Sequence, residues 1–65
     1  MANTKNYKMV SEDAAKAALK ECEKQLGKDI VDVWIQKFDG EFWIKCIWRV
    51  EEKVKNICEQ VNNLY

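Results

Sequence analysis

Three cysteines are the residues of this chain best suited to chemistry, but their spacing argues against a C-x-x-C motif and against a zinc site. Cys22, Cys46 and Cys58 lie far apart, so there is no C-x-x-C pair, and the chain has no histidine that could complete a zinc site. Each cysteine falls on an apolar face of a predicted element, where a thiol behaves as a small hydrophobic side chain. The sequence therefore predicts three reduced core thiols and neither a metal nor another cofactor.

The groups that usually carry acid–base or nucleophilic catalysis are scarce. Histidine is absent, and the only serine and threonine, Ser11 and Thr4, lie at or near the N-terminal segment. None of the carboxylates near the centre of the chain has the supporting groups that a catalytic site needs, so we expect a protein that is not an enzyme. These acids are Asp29, Asp32, Asp39 and Glu41.

Length and charge narrow the class of protein further. The chain has 65 residues, 48% of them apolar and 34% charged, which is typical of one small globular domain whose stability is marginal. Eleven basic residues balance eleven acidic ones, and Arg49 is the only arginine, so a nucleic-acid partner is disfavoured. No apolar run approaches the ~20 residues of a membrane span and no signal core begins the chain, so we expect a cytoplasmic protein without a membrane partner.

Two amphipathic helices are predicted. The first covers about residues 12–26, with Ser11 as N-cap, a stripe of apolar residues at helical spacing, and Gly27 at the C-terminal end. The second covers about residues 51–64 and repeats apolar residues at four-three spacing, but no Ser, Thr, Asp or Asn caps its start.

Between the helices, β-branched and aromatic residues predict two strands, about 30–38 and 41–49, joined by an Asp39-Gly40 turn. A two-residue type I′ turn pairs Phe38 with Glu41 and continues in register to Val31 with Trp48. One face is then almost purely apolar and suited to cover by the helices. That face carries Val31, Val33, Ile35, Phe42, Ile44, Cys46 and Trp48. The alternative is one long helix that begins near Phe42, because the apolar spacing of the second helix extends backwards to it.

The predicted fold is an α+β, two-layer αββα unit, in which two helices pack on one face of an antiparallel hairpin and dimerisation completes the structure. Residues 10–65 form the domain. Residues 1–9 are predicted to be a flexible tail. Alternatively, this segment packs as an arm on its own domain or on a partner. The αββα order occurs in many unrelated small folds and predicts no function by itself.

The opposite face of the hairpin is the predicted interaction site. Trp34 and Trp43 lie near each other across the strands, with Phe38 and Ile47 at the margins, and such an apolar patch on a small domain is typical of a contact surface. The surrounding charges are predicted to set register and partner choice. These charges are Asp32, Glu41, Lys45 and Arg49.

We therefore expect a small, non-enzymatic protein–protein interaction module that occupies a partner's surface: an adaptor, an antitoxin-like protein or an inhibitor, phage-encoded inhibitors included. The first expected partner is a second copy of the chain, since chains of this size without disulfides or metals often need oligomerisation. The alternative is a single-stranded nucleic-acid-binding protein that stacks bases on the tryptophans beside Lys45 and Arg49.

Overall fold

In the computed structural model, which describes residues 3–27 and 32–65, the chain folds as an α+β protein with a three-stranded antiparallel sheet and two α-helices. The predicted α+β class is confirmed. A 3₁₀ turn, Trp48–Val50, joins the last strand to the last helix. The other elements are β1 (Thr4–Met9), α1 (Glu12–Leu26), β2 (Val33–Phe38), β3 (Glu41–Ile47) and α2 (Glu51–Leu64).

The β2–β3 hairpin has the predicted register. Phe38 pairs with Glu41, and the pairing runs on to Val33 with Cys46. Asp39 and Gly40 both have positive φ, 52° and 79°, which is the conformation that a type I′ turn requires. The alternative of a long helix from Phe42 is wrong, because this segment is strand as far as Ile47. The predicted Val31 pairing, the start of the first strand at residue 30, and Asp29 lie outside the described residues.

The prediction of a flexible tail is wrong for residues 4–9. They form β1, which pairs antiparallel with β3 from Thr4–Ile47 to Met9–Phe42 and makes β3 the central strand. The physical reason is alternation, because Tyr7 and Met9 lie on the same side of β1, where they join the buried side chains. A third strand also satisfies the backbone edge of β3 that a two-stranded hairpin would leave open.

The end of the hairpin differs from the prediction as well. β3 ends at Ile47 rather than at residue 49, and Trp48 enters the 3₁₀ turn, where it is 60% exposed instead of lying on the apolar face. The turn takes the place of a side-chain cap, since α2 begins after Val50 with no capping hydrogen bond. By contrast α1 is capped as predicted, with Ser11 Oγ accepting from the Ala14 N–H at 3.1 Å.

The core is built from small side chains. Its largest fully buried members are Ile44, Val54 and the three cysteines. The cysteines are free thiols in this single buried cluster, to which both helices and alternate residues of the strands contribute. The other buried residues are Met9, Ala14, Ala15, Ala18, Val33, Ile57 and Val61. None of the three tryptophans belongs to the core, which leaves the largest apolar side chains for other parts of the surface.

Candidate interaction surface on the outer face of the sheet

The outer face of the sheet consists of the strand residues that alternate with the core residues. Strand pairing fixes its membership, because residues directly opposite each other in an antiparallel pair point to the same side. The outer face comprises Thr4, Asn6 and Lys8 of β1, Trp34, Gln36 and Phe38 of β2, and Glu41, Trp43, Lys45 and Ile47 of β3.

Trp43 occupies the centre of this outer face. It lies on the middle strand, with Lys8 opposite it on β1 and Gln36 opposite it on β2. Trp34 and Phe38 are its diagonal neighbours on β2, within reach of a large aromatic ring. The predicted proximity of Trp34 and Trp43 is therefore a consequence of the register.

The indole of Trp43 carries an unsatisfied donor. Its Nε1 is buried and has no hydrogen-bond partner among the described residues, although the side chain as a whole is partly exposed. A buried donor without an acceptor costs about 1–3 kcal/mol, and native structures contain few of them. Because this nitrogen is inaccessible within the single chain, an acceptor reaches it only if the indole or its neighbours move.

Two aromatic residues of the outer face, Phe38 and Trp43, border a shallow pocket. Phe38 is 69% exposed, while Trp34 and Trp43 are partly buried. The pocket has a volume of about 340 Å³. Its lining combines two aromatic rings with an ammonium and two amides, from Asn6, Gln36, Phe38, Trp43 and Lys45. Such a mixture suits contact with a surface that offers both apolar groups and hydrogen-bond acceptors.

The predicted rim charges fall into two groups. Glu41 and Lys45 lie on the outer face itself, and Glu41 forms an ion pair with Lys8 of β1. Arg49 lies in the 3₁₀ turn and Asp32 just before β2, so neither belongs to a strand. They pair with each other at 3.6 Å within one chain.

The sequence interpretation missed the contribution of β1 to this surface. Asn6 lines the pocket and Lys8 neutralises Glu41, but both fell in the segment predicted to be a tail. The signal that could have found them is the spacing of Tyr7 and Met9, two apolar residues one strand repeat apart. Asn62 of α2 also went unnoticed, although it accepts from the Val10 N–H at 3.0 Å and donates to the Lys8 carbonyl at 3.1 Å.

Groups with shifted pKa values lie in or against the core. Burial raises the pKa of the Cys22 thiol to about 11 and that of Cys58 to about 12, and it also raises the pKa of Cys46. Burial, together with a 3.1 Å hydrogen bond to Glu51, raises the pKa of Tyr7 to about 12. All four groups are therefore protonated at neutral pH, and the thiols are poor nucleophiles and poor metal ligands in that form.

Within the ranges 3–27 and 32–65, no cluster of three or more Cys, Asp or Glu residues is arranged to hold a metal ion. The helices of this same part of the chain are too short or too polar to cross a membrane. No protein-family model, curated protein or solved structure matches the chain.

Proposed function

We propose that this protein is a small, non-enzymatic protein–protein interaction module that acts by covering the outer face of its sheet against another protein surface, and that its working form is a homodimer. The observation that carries the proposal is Trp43. It is the central residue of the outer face, its side chain is partly exposed, and the aromatic rings of Trp34 and Phe38 lie diagonally beside it.

The distribution of apolar side chains supports this proposal. We infer a two-layer arrangement with both helices against one side of the sheet, since their buried residues share a cluster with Ile44 and Cys46. The opposite side then holds Trp34, Phe38 and Trp43 without cover from either helix. Buried tryptophans near the centre of an interface contribute most of the binding energy in many complexes.

The size of the chain favours a second copy as the partner. A 65-residue domain buries only ~60% of the surface of its unfolded chain, and a core in which alanine and cysteine are half of the buried residues adds little per residue. Packing of two outer faces would enlarge the apolar core of both copies. The zero net charge also leaves little long-range repulsion between copies.

Sedimentation velocity across a concentration series tests the proposal. Wild type should reach twice the chain mass of 7.7 kDa, and W34A/W43A should remain a monomer with its helical circular dichroism largely intact. W48A is the matched control, because Trp48 is exposed but lies in the 3₁₀ turn beyond the end of β3, and it should dimerise like wild type.

Three results would count against the proposal. A wild type that stays monomeric at every concentration would exclude the homodimer. A W34A/W43A variant that dimerises like wild type would remove the outer face from the interface. A W34A/W43A variant that unfolds as a monomer would assign the two tryptophans to the stability of the domain instead.

One observation favours single-stranded nucleic-acid binding as a second candidate. The pocket places Lys45 beside the rings of Trp43 and Phe38, and stacking of bases on aromatic rings next to a cation is the usual basis of such binding. Glu41 on the same face and the balanced net charge oppose it. Salt-sensitive binding of a labelled oligonucleotide that W34A/W43A abolishes would establish this function, and absence of binding at low salt would exclude it.

A further inference from the structure

The outer face of β3 is complementary to itself. Glu41, Trp43 and Lys45 follow one another at two-residue intervals, so an acid and a base lie symmetrically on either side of the central tryptophan. Reversal of the strand direction exchanges the positions of the acid and the base. Consider a two-fold axis that lies between two stacked sheets, runs perpendicular to β3 and passes over Trp43. This axis brings Glu41 of each copy opposite Lys45 of the other.

We propose that two copies pack outer face to outer face about this axis, with two reciprocal Glu41–Lys45 ion pairs on either side of a central Trp43–Trp43 contact. This inference rests on the proposed function, which assigns the outer face to a homodimer, and adds the geometry of the partner. Isologous interfaces of this kind are the commonest in homodimers, and aligned packing is one of the two usual arrangements of stacked sheets.

Residues of β2 obey the same symmetry. Phe38 is paired with Glu41 and Trp34 with Lys45, so the axis that exchanges Glu41 and Lys45 also exchanges the positions of Phe38 and Trp34. The strongly exposed ring of Phe38 then lies over Trp34 of the second copy, once on each side. Aromatic pairs of this kind stabilise an interface beyond the area that they bury.

Gln36 lies close to the same two-fold axis. Gln36 lies directly opposite Trp43 in the strand pair, so it is close to the axis, and Gln36 of the second copy faces it. The two Gln36 side chains, which are exposed in a single copy, therefore meet beside the Trp43 pair.

Lys8 is the charge that could oppose this packing, because it lies opposite Trp43 on β1 and so near the axis in both copies. Its ion pair with Glu41 draws the ammonium along the sheet, away from the axis. The symmetry draws the second Lys8 in the opposite direction. Each Glu41 is then placed between Lys8 of its own chain and Lys45 of the second copy, which gives a small charge network instead of a repulsion.

Charge-reversal variants test this geometry. E41K places lysines at both flanking positions and K45E places glutamates at both, so each variant repels its own copy across the axis. We expect either substitution to raise the dissociation constant of the homodimer about tenfold or more. Mixing the two variants should restore association as a heterodimer, since the two lysines of one then face the two glutamates of the other. E41K/K45E should restore the homodimer within one chain.

Matched controls reverse charges on the exposed side of α2. K55E and E59K change the net charge by the same amounts as K45E and E41K but lie in a helix, and both should dimerise like wild type. Sedimentation velocity of each protein alone and of the equimolar mixtures gives the dissociation constants, and circular dichroism verifies that each variant is folded.

The outcomes separate the geometry from the proposed function. If E41K and K45E dimerise as wild type does while W34A/W43A is monomeric, the face is correct and the two-fold geometry is wrong. If neither the mixture nor E41K/K45E recovers association, the reciprocal ion pairs are excluded. If W34A/W43A dimerises like wild type, the proposed function itself fails, and edge-to-edge pairing of β2 becomes the alternative.

Discussion

The two faces of one sheet differ in the size of their side chains and in how fully they are covered. Ile44 and Cys46 of β3 are completely buried, while Trp43, Lys45 and Ile47 on the same strand are only partly covered. The core face is packed with alanines, thiols and small aliphatic residues from both helices. The outer face carries the larger aromatic rings.

This difference separates two tasks that small domains often combine. Tryptophan buries more area than any residue in this core, yet none of the three tryptophans belongs to it, and Phe42 packs against it only partly buried. The most economical explanation is that folding of one copy depends on the core face and that association depends on the outer face. The predictions below compare substitutions on the two faces.

The largest expected difference in the free energy of unfolding is between two isoleucine-to-alanine substitutions on opposite faces of β3. I44A removes a fully buried side chain at the centre of the sheet and should lower the free energy of unfolding by about 2–5 kcal/mol, enough to unfold much of a marginal domain. I47A removes the same atoms from a partly exposed position on the outer face and should cost less than about 1.5 kcal/mol. Urea denaturation at low protein concentration measures both. Equal losses would mean that the two faces do not differ in the way proposed.

High pH should lower the stability of the folded protein through the groups on its core face. The raised pKa values of the thiols and of Tyr7 mean that the folded protein holds protons that the unfolded chain releases above pH 9 to 10. Stability is therefore fully present below pH 9 and is lost progressively as the pH rises toward 12. Thermal unfolding at several pH values tests this, and Y7F should weaken the dependence between pH 10 and 12. A melting temperature that stays constant to pH 11 would contradict the burial of these groups.

A smaller effect is expected at Asn62, which holds the end of β1 to α2. N62A removes one hydrogen bond to the Lys8 carbonyl of β1 and one from the N–H of Val10, the residue that follows β1. It should lower the free energy of unfolding by about 1–2 kcal/mol and speed the hydrogen exchange of β1 amides. N63A is the control, since Asn63 is the exposed neighbour on the same helix. If N62A speeds hydrogen exchange in β2 as much as in β1, the hydrogen bonds of Asn62 do not stabilise β1 in particular.

The smallest effect is expected for the Arg49–Asp32 pair. Its arginine is largely exposed and the separation is 3.6 Å, so R49A should change the free energy of unfolding by no more than about 0.5 kcal/mol. It should also leave dimerisation unchanged, unlike K45E. A thermal melt and one sedimentation run suffice, and loss of the dimer in R49A would extend the interface to the end of the sheet.

The parts of this fold that local patterns determine could be predicted. The spacing of apolar residues located both helices, the Ser11 cap marked the start of α1, and the Asp39-Gly40 turn fixed which residues of β2 and β3 share a face. β1 could not be predicted in the same way. Its six residues, TKNYKM, are mostly polar, and their strand conformation depends on pairing with β3 more than thirty residues away.

The residues of the candidate site also divide into those that local patterns predict and those that depend on the tertiary fold. The aromatic residues and Glu41 and Lys45 followed from the turn and the alternation, whereas Asn6 and Lys8 required the position of β1. Trp48 and Arg49 left the sheet because the chain turns into the 3₁₀ segment directly after Ile47. No capping residue in the sequence marks the point where strand gives way to helix.

An isotope-filtered NOE experiment on a mixture of labelled and unlabelled protein tests the central claim most directly, because it detects only contacts between copies. We expect intermolecular NOEs from the indole protons of Trp43 and Trp34 to Phe38 and Gln36 of the other copy. Intermolecular NOEs confined to the helices, to Trp48 or to the backbone of β2, or none at concentrations where the protein is dimeric, would contradict it.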